Sequence, residues 1–222
     1  MRKQPLVIGE YYHIYNRGVD KRNIFSDKKD LDRFVESILE FNQIEVITSL
    51  ANLRKTKQIA PKALSGNPLV LFTAYCLNPN HFHFILKQLA DGGIAKFMQK
   101  LQAGYTSYFN IKNSRTGSLF QGTFKSQIIS NENYFNKTIG YVNKNYQIHN
   151  IPKNKINLVF ASDYEYENNN FKIISKEEGK RILETFNGSK NFKKHCDEIV
   201  SIIREERGKT SLLEEENLPD RV

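Results

Sequence analysis

The hydrophobic positions of this chain change period several times, and each change marks an element. Glu10–Asn16 is rich in Tyr and Ile, which predicts a strand ending at Arg17-Gly18. From Ser26 or Asp27, either of which can cap a helix, the spacing of Leu31, Phe34, Val35, Ile38 and Phe41 predicts a helix running to about Asn42. Ile44–Leu53 fits either a helical continuation or a short strand, and Arg54–Pro68 reads as a polar connection. The continuous apolar run Leu69–Leu77 has strand character, and the Asn78-Pro79-Asn80 turn leads into a second strand, His81–Leu86, so the pair forms a hairpin.

Gly92-Gly93 then punctuates the chain before a helix with apolar positions Ile94, Phe97, Met98, Leu101, Tyr105 and Tyr108. Ser118–Ile129 reads as another strand, and a further helix starts near Asn131 or Asn133 and carries Phe135, Ile139 and Val142. The order β-α-β-β-α-β-α predicts an α+β fold: a ferredoxin-like antiparallel sheet with helices on one face, plus one extra helix. We divide the chain into residues 1–150 and a mainly helical extension, 151–222. Helical stretches are expected near Lys176–Phe186 and Phe192–Arg207, and the last dozen residues are expected to be disordered.

Charge sharpens this picture. Of the formal net charge of +9, residues 1–150 hold 20 Lys and Arg against 10 Asp and Glu, whereas residues 151–222 hold 13 against 14. The basic excess therefore belongs to the first two-thirds, and a polyanion such as nucleic acid is the expected partner. No apolar run reaches the ~20 residues of a membrane helix, and the N-terminus lacks a signal-peptide core, so a cytoplasmic protein with no membrane partner is expected. Cys76 and Cys196 stand far apart in sequence, in no metal or redox spacing, and are expected to be reduced thiols.

Two features could carry chemistry. In a strand, residues two apart share a face, so His81 and His83 project side by side while Phe82, Phe84 and Leu86 face the core. Two such imidazoles can hold one divalent cation. On the last helix, Tyr141 lies away from the Phe135, Ile139 and Val142 stripe, and Asn145 follows four residues later on the same side. A tyrosine beside a carboxamide suits a nucleophile with a ligand neighbour, and equally an ordinary surface pair. Tyr105 and Tyr108 fit an apolar stripe, and His13 reads as structural or DNA-contacting rather than as a ligand. His149 and His195 have no evident constellation.

Together these motifs resemble the single-tyrosine HUH transposases, most closely the REP-associated tyrosine transposases and their insertion-sequence relatives. The resemblance runs over the first 150 or so residues. Tyr12-His13-Ile14-Tyr15-Asn16-Arg17-Gly18 is similar to the family's opening strand, and Phe25, Asp30 and Phe34 to its Phe-x4-Asp-x3-Phe pattern. Asn78-Pro79-Asn80-His81-Phe82-His83 resembles its Met-Pro-Asn-His-x-His, with Asn78 in place of Met. Met98-Gln99 through Tyr105–Asn110, then Gly117, Leu119–Gly122 and Phe124-Lys125, resemble the following helix and basic hairpin. Tyr141-Val142-Asn143-Lys144-Asn145 resembles its Tyr-Ile-x-x-Asn helix, although Tyr146 stands where many relatives have Pro.

The resemblance implies a DNA strand-transfer enzyme in which Tyr141 is the nucleophile, His81 and His83 bind Mg²⁺ or Mn²⁺, and Asn145 is a third, carboxamide ligand. Single-stranded or hairpin DNA is the expected partner; Arg17, Arg115 and Lys125 are our candidates for phosphate contacts, and Phe120 for an exposed aromatic that stacks on bases. Relatives build their sites within one chain or across a homodimer, and both arrangements stay open. So do three other readings: a catalytically silent nucleic-acid-binding protein, a phosphodiesterase working through water, and an RNA-binding scaffold.

Overall fold

The computed structural model describes residues 5–44 and 67–211, with side chains through Arg207. Most of the 44–53 and 54–68 segments, and the tail after 211, lie outside the described residues.

The chain builds a five-stranded antiparallel sheet with the order β4-β1-β3-β2-β5. β1 is Tyr11–Arg17, β2 is Val70–Asn78, β3 is His81–Gln88, β4 is Lys125–Ile128 and β5 is Phe160–Ala161. The first four follow the ferredoxin-like arrangement expected of β-α-β-β-α-β. Helix α1, Lys28–Phe41, is capped by the Asp27 carboxylate, which accepts from the Asp30 backbone N–H at 3.0 Å. Helix α2 is Gly93–Lys112.

These two helices cover one face of the sheet. Phe82, Phe84 and Leu86 point into that layer with Ile14 and Phe72, and they meet Phe34 of α1 and Phe97 of α2. Asp30, fully buried, ties the layer together: it accepts from the Ser26 N–H, the Tyr108 hydroxyl and the Lys112 ammonium. The Tyr105 hydroxyl donates to the Ile24 carbonyl at 2.6 Å, so Tyr105 and Tyr108 serve packing as expected.

The opposite face is covered by helices α3 (Glu132–Asn143), α4 (Asn145–Ile148), α5 (Asp163–Asn168), α6 (Lys176–Thr185) and α7 (Ser189–Ser211). α7 lies close against α3 because Gly140 has no side chain; a Cβ there would sit 2.8 Å from Ile199 Cγ1. Residues beyond 150 add Tyr166, Ile174, Ile182 and Phe192 to the same continuous core. The helices thus occupy both faces of the sheet, with the extra helix α3 on the side opposite α1 and α2. No described helix is long and apolar enough to cross a membrane.

One predicted element shrinks. The strand expected over 118–129 is regular only at Lys125–Ile128, joined upstream by a single bridge between Gly18 and Phe120. Gly117 and Gly122 both adopt positive φ (85° and 67°), which bends the chain there, and Leu119, Phe120 and Phe124 are buried from irregular backbone.

Candidate metal and nucleic-acid site

The site lies on the second face of the sheet, where the alternation of β3 delivers His81 and His83. The hairpin turn that precedes them is fixed from below: the Ile24 and Phe25 N–H groups donate to the Pro79 carbonyl, and the Gly18 N–H donates to the Asn80 carbonyl. A side chain at Gly18 would collide with the Arg22 carbonyl, so only glycine permits this approach.

Each imidazole is oriented by a defined partner. His81 Nδ1 donates to Asn80 Oδ1 at 2.7 Å, which leaves Nε2 as a lone pair. That nitrogen lies 3.0 Å from Asn145 Oδ1, and Asn78 Nδ2 donates to both of them, at 2.9 and 2.7 Å. His83 Nδ1 meets His13 Nε2 at 2.8 Å, so Nε2 is the His83 nitrogen left for a ligand. Burial, followed by His13, His81, His149 and Arg207, holds His83 well below the usual imidazole range and keeps it neutral.

The donor set fits a divalent cation. His81 Nε2 and Asn145 Oδ1 stand 3.0 Å apart, the spacing of neighbouring ligands ~2.1 Å from one octahedral ion. Asn145 Nδ2 is buried with no hydrogen-bond partner among the described residues, which marks the carboxamide as placed for its oxygen. His149 completes the group: one ligand nitrogen from each of His81, His83 and His149 lies within 4.8 Å of the others. The expectation that His149 stands alone is therefore corrected. The signal was present in the sequence, because Tyr141, Asn145 and His149 are spaced by four, and the His149 N–H closes a helical bond to the Asn145 carbonyl at 3.0 Å.

Tyr141 lies behind this cluster. Its ring meets His83 edge-on at 5.5 Å and His13 at 5.9 Å, and it is only 4% exposed. It is thus neither a surface tyrosine nor a wall of the cleft. α3 ends at Asn143, and Lys144, with φ of −111°, separates it from the turn that carries Asn145. His13 is fully buried, in keeping with a structural role.

Above the histidines opens a cleft of about 290 Å³ whose walls include Tyr15, Arg17, Lys21 and Lys125. Tyr15 stacks on His83 at 5.5 Å, and Lys125 Nζ sits 5.6 Å over the Tyr15 ring. Arg17 and Lys125 are thus in the cleft, while Arg115 and Phe120 are not among its walls. Arg115 donates to Asn110 Oδ1 and the Ser118 carbonyl and lies over the Phe109 ring. Phe120 is 3% exposed, packed against Phe82 and Tyr105, so the expectation of an exposed ring is not met. Read in sequence as part of a strand, it sits instead in irregular backbone, and the apolar layer beneath claims it.

The fold and site define an α+β protein with a histidine-lined face able to hold a metal ion. Among solved structures, the chain is similar to a REP-associated tyrosine transposase bound to a REP hairpin. The TM-score is 0.53 at 12% sequence identity, over 79% of this chain and 90% of that one. That likeness establishes a transposase-like fold. No protein-family profile matches the chain, and no curated protein matches it in sequence.

Proposed function

We propose that this protein is a metal-dependent DNA strand-transfer enzyme of the single-tyrosine HUH kind, cleaving and rejoining single-stranded or hairpin DNA through Tyr141. The observation that carries this reading is the placement of His81 and His83 on the wall of a basic cleft, with Asn145 against His81 and the Tyr141 ring against His83. The solved transposase of similar fold is bound to a DNA hairpin, which supports the choice of substrate.

His81, His83 and Asn145 would hold Mg²⁺ or Mn²⁺, which when bound withdraws charge from the scissile phosphate and orients it. Arg17, Lys21 and Lys125 bind the DNA backbone and fix its register. The Tyr141 oxygen attacks the phosphorus, its proton passes to water, and the bond to the 3′ oxygen breaks. A 5′-phosphotyrosine and a free 3′-hydroxyl result. The energy of the broken bond is retained, so a second 3′-hydroxyl reverses the step and joins new DNA. Because Tyr141 is buried at rest, this chemistry requires its hydroxyl to become accessible when DNA enters.

That burial favours one second reading, a catalytically silent single-stranded nucleic-acid-binding protein. A denaturing gel with labelled hairpin DNA from beside the gene and Mn²⁺ separates the two. The expected result is a covalent adduct with wild type and Tyr15→Phe and none with Tyr141→Phe. Tyr15 is the necessary control, since it is the tyrosine that walls the cleft. Cleavage by all three proteins would move the assignment to water-based hydrolysis, and binding without cleavage would support the silent protein. Tyr141 packs on His83 of its own chain, which supports an active site built in cis. Mixing Tyr141→Phe with His81→Ala protein should then restore no activity, whereas a site shared in a homodimer would regain it.

A further inference from the structure

We propose that His149 is a third imidazole ligand, giving the cleft floor a three-histidine, one-carboxamide site that prefers a transition-metal ion of the Mn²⁺–Co²⁺–Zn²⁺ class over Mg²⁺. The proposal deepens the functional reading and rests only on its metal-binding part.

The geometry comes from the turn after α3. Asn145 opens α4, and the His149 N–H bonds back to the Asn145 carbonyl, so the two side chains rise from the same side of one helical turn. Asn145 Oδ1 reaches His81 Nε2, and the His149 ring lies 4.8 Å from the His81 ring, inclined at 68°. The three ligand nitrogens already lie within 4.8 Å of one another. A cation ~2.1 Å from each nitrogen in tetrahedral geometry needs separations of about 3.4 Å. Closing the set from 4.8 Å takes side-chain movements that sum to roughly 1.4 Å, within reach of small χ rotations. His149 is half-buried and walls the cleft beside His81 and His83, so a cation there keeps an open side toward DNA.

The donor chemistry sets the preference. Imidazole nitrogen suits Zn²⁺, Co²⁺ and their neighbours, whereas Mg²⁺ demands oxygen ligands and keeps its waters. A pair of histidines with one carboxamide leaves room for either kind of ion. A third imidazole gives the site a nitrogen majority and removes a place where Mg²⁺ would hold water.

The test is titration calorimetry of the full chain without DNA, using Co²⁺ and Mg²⁺ alone as probes. The visible spectrum of bound Co²⁺ gives a second readout. Wild type should bind Co²⁺ at least about 10-fold more tightly than Mg²⁺. His149→Ala should lose about 10-fold or more of the Co²⁺ affinity, with a changed spectrum and little change toward Mg²⁺. His149→Gln serves the same purpose should the alanine variant fail to fold. If both His149 variants bind Co²⁺ as wild type does, with an unchanged spectrum, while His81→Ala does not, the proposal falls and the strand-transfer reading stands. If Co²⁺ binding depends on His149 yet no DNA adduct forms, the strand-transfer reading falls and this site stands. Absence of Co²⁺ binding to folded wild type overturns the site itself.

Discussion

Strand β3 carries two opposite chemistries on alternate residues. Phe82, Phe84 and Leu86 are fully buried in a dry layer against α1 and α2, while His81 and His83 face α3, α4 and the cleft. The first set is held by shape: Phe82 and Phe84 stack with centroids 4.7 Å apart, and Phe72 meets Phe84 edge-on at 5.2 Å. The second is held by directed hydrogen bonds, Asn80 to His81 and His13 to His83. One strand thus separates what keeps the protein folded from what aims its functional groups. Damage to the two faces should then appear in different measurements.

The largest effect on stability belongs to the apolar face. Phe84→Ala removes a fully buried ring from a packed layer, and the expected loss is about 3–5 kcal/mol in chemical denaturation. A loss below about 1 kcal/mol would mean that the layer repacks and that the two faces are not so distinct. On the other face, His13→Phe keeps a ring of similar size but removes the nitrogen that meets His83 Nδ1. Metal affinity should fall about 10–100-fold, the usual cost of losing a group that orients a ligand. The denaturation midpoint should move far less than for Phe84→Ala. Unchanged metal affinity in His13→Phe would show that packing alone orients His83.

The sequence made the apolar face readable because alternation and helical spacing are local. Period two in His81–Leu86 separates the two faces without knowledge of the partner strands, and the Asp27 cap and the stripe of α1 appear where expected. Single-stranded reading fails where the answer depends on register. His13 pairs across with Ile85 and lies diagonal to His83, a contact fixed only once β1 and β3 are aligned. His149 is within reach of the sequence, since it follows Asn145 by four, but Tyr146, where many relatives have Pro, leaves the end of the helix open. The burial of Tyr141 was not legible, because its ring packs on His83 and His13 of two strands far earlier in the chain. Leu119–Phe124 misled for a different reason: a segment with Leu119, Phe120 and Phe124 looks like part of a strand until Gly117 and Gly122 turn it.

The same contrast between local and tertiary context divides the three basic residues expected to bind DNA. Arg17 and Lys125 project into the cleft, whereas Arg115 spends its donors on Asn110 and Ser118 at the end of α2. If the cleft is the path of single-stranded DNA, each cleft cation that neutralises a phosphate releases counterions. Arg17→Ala and Lys125→Ala should each lower the slope of log affinity against log salt by about 0.7. Arg115→Ala should leave that slope unchanged and cost about 1 kcal/mol of stability instead, from the lost hydrogen bonds. Binding titrations over a series of salt concentrations measure the slopes directly. A slope change in Arg115→Ala as large as in the other two would mean that the DNA leaves the cleft and runs along the end of α2. In that case the histidine face would set only the position of the scissile phosphate, and most of the affinity would come from elsewhere on the surface.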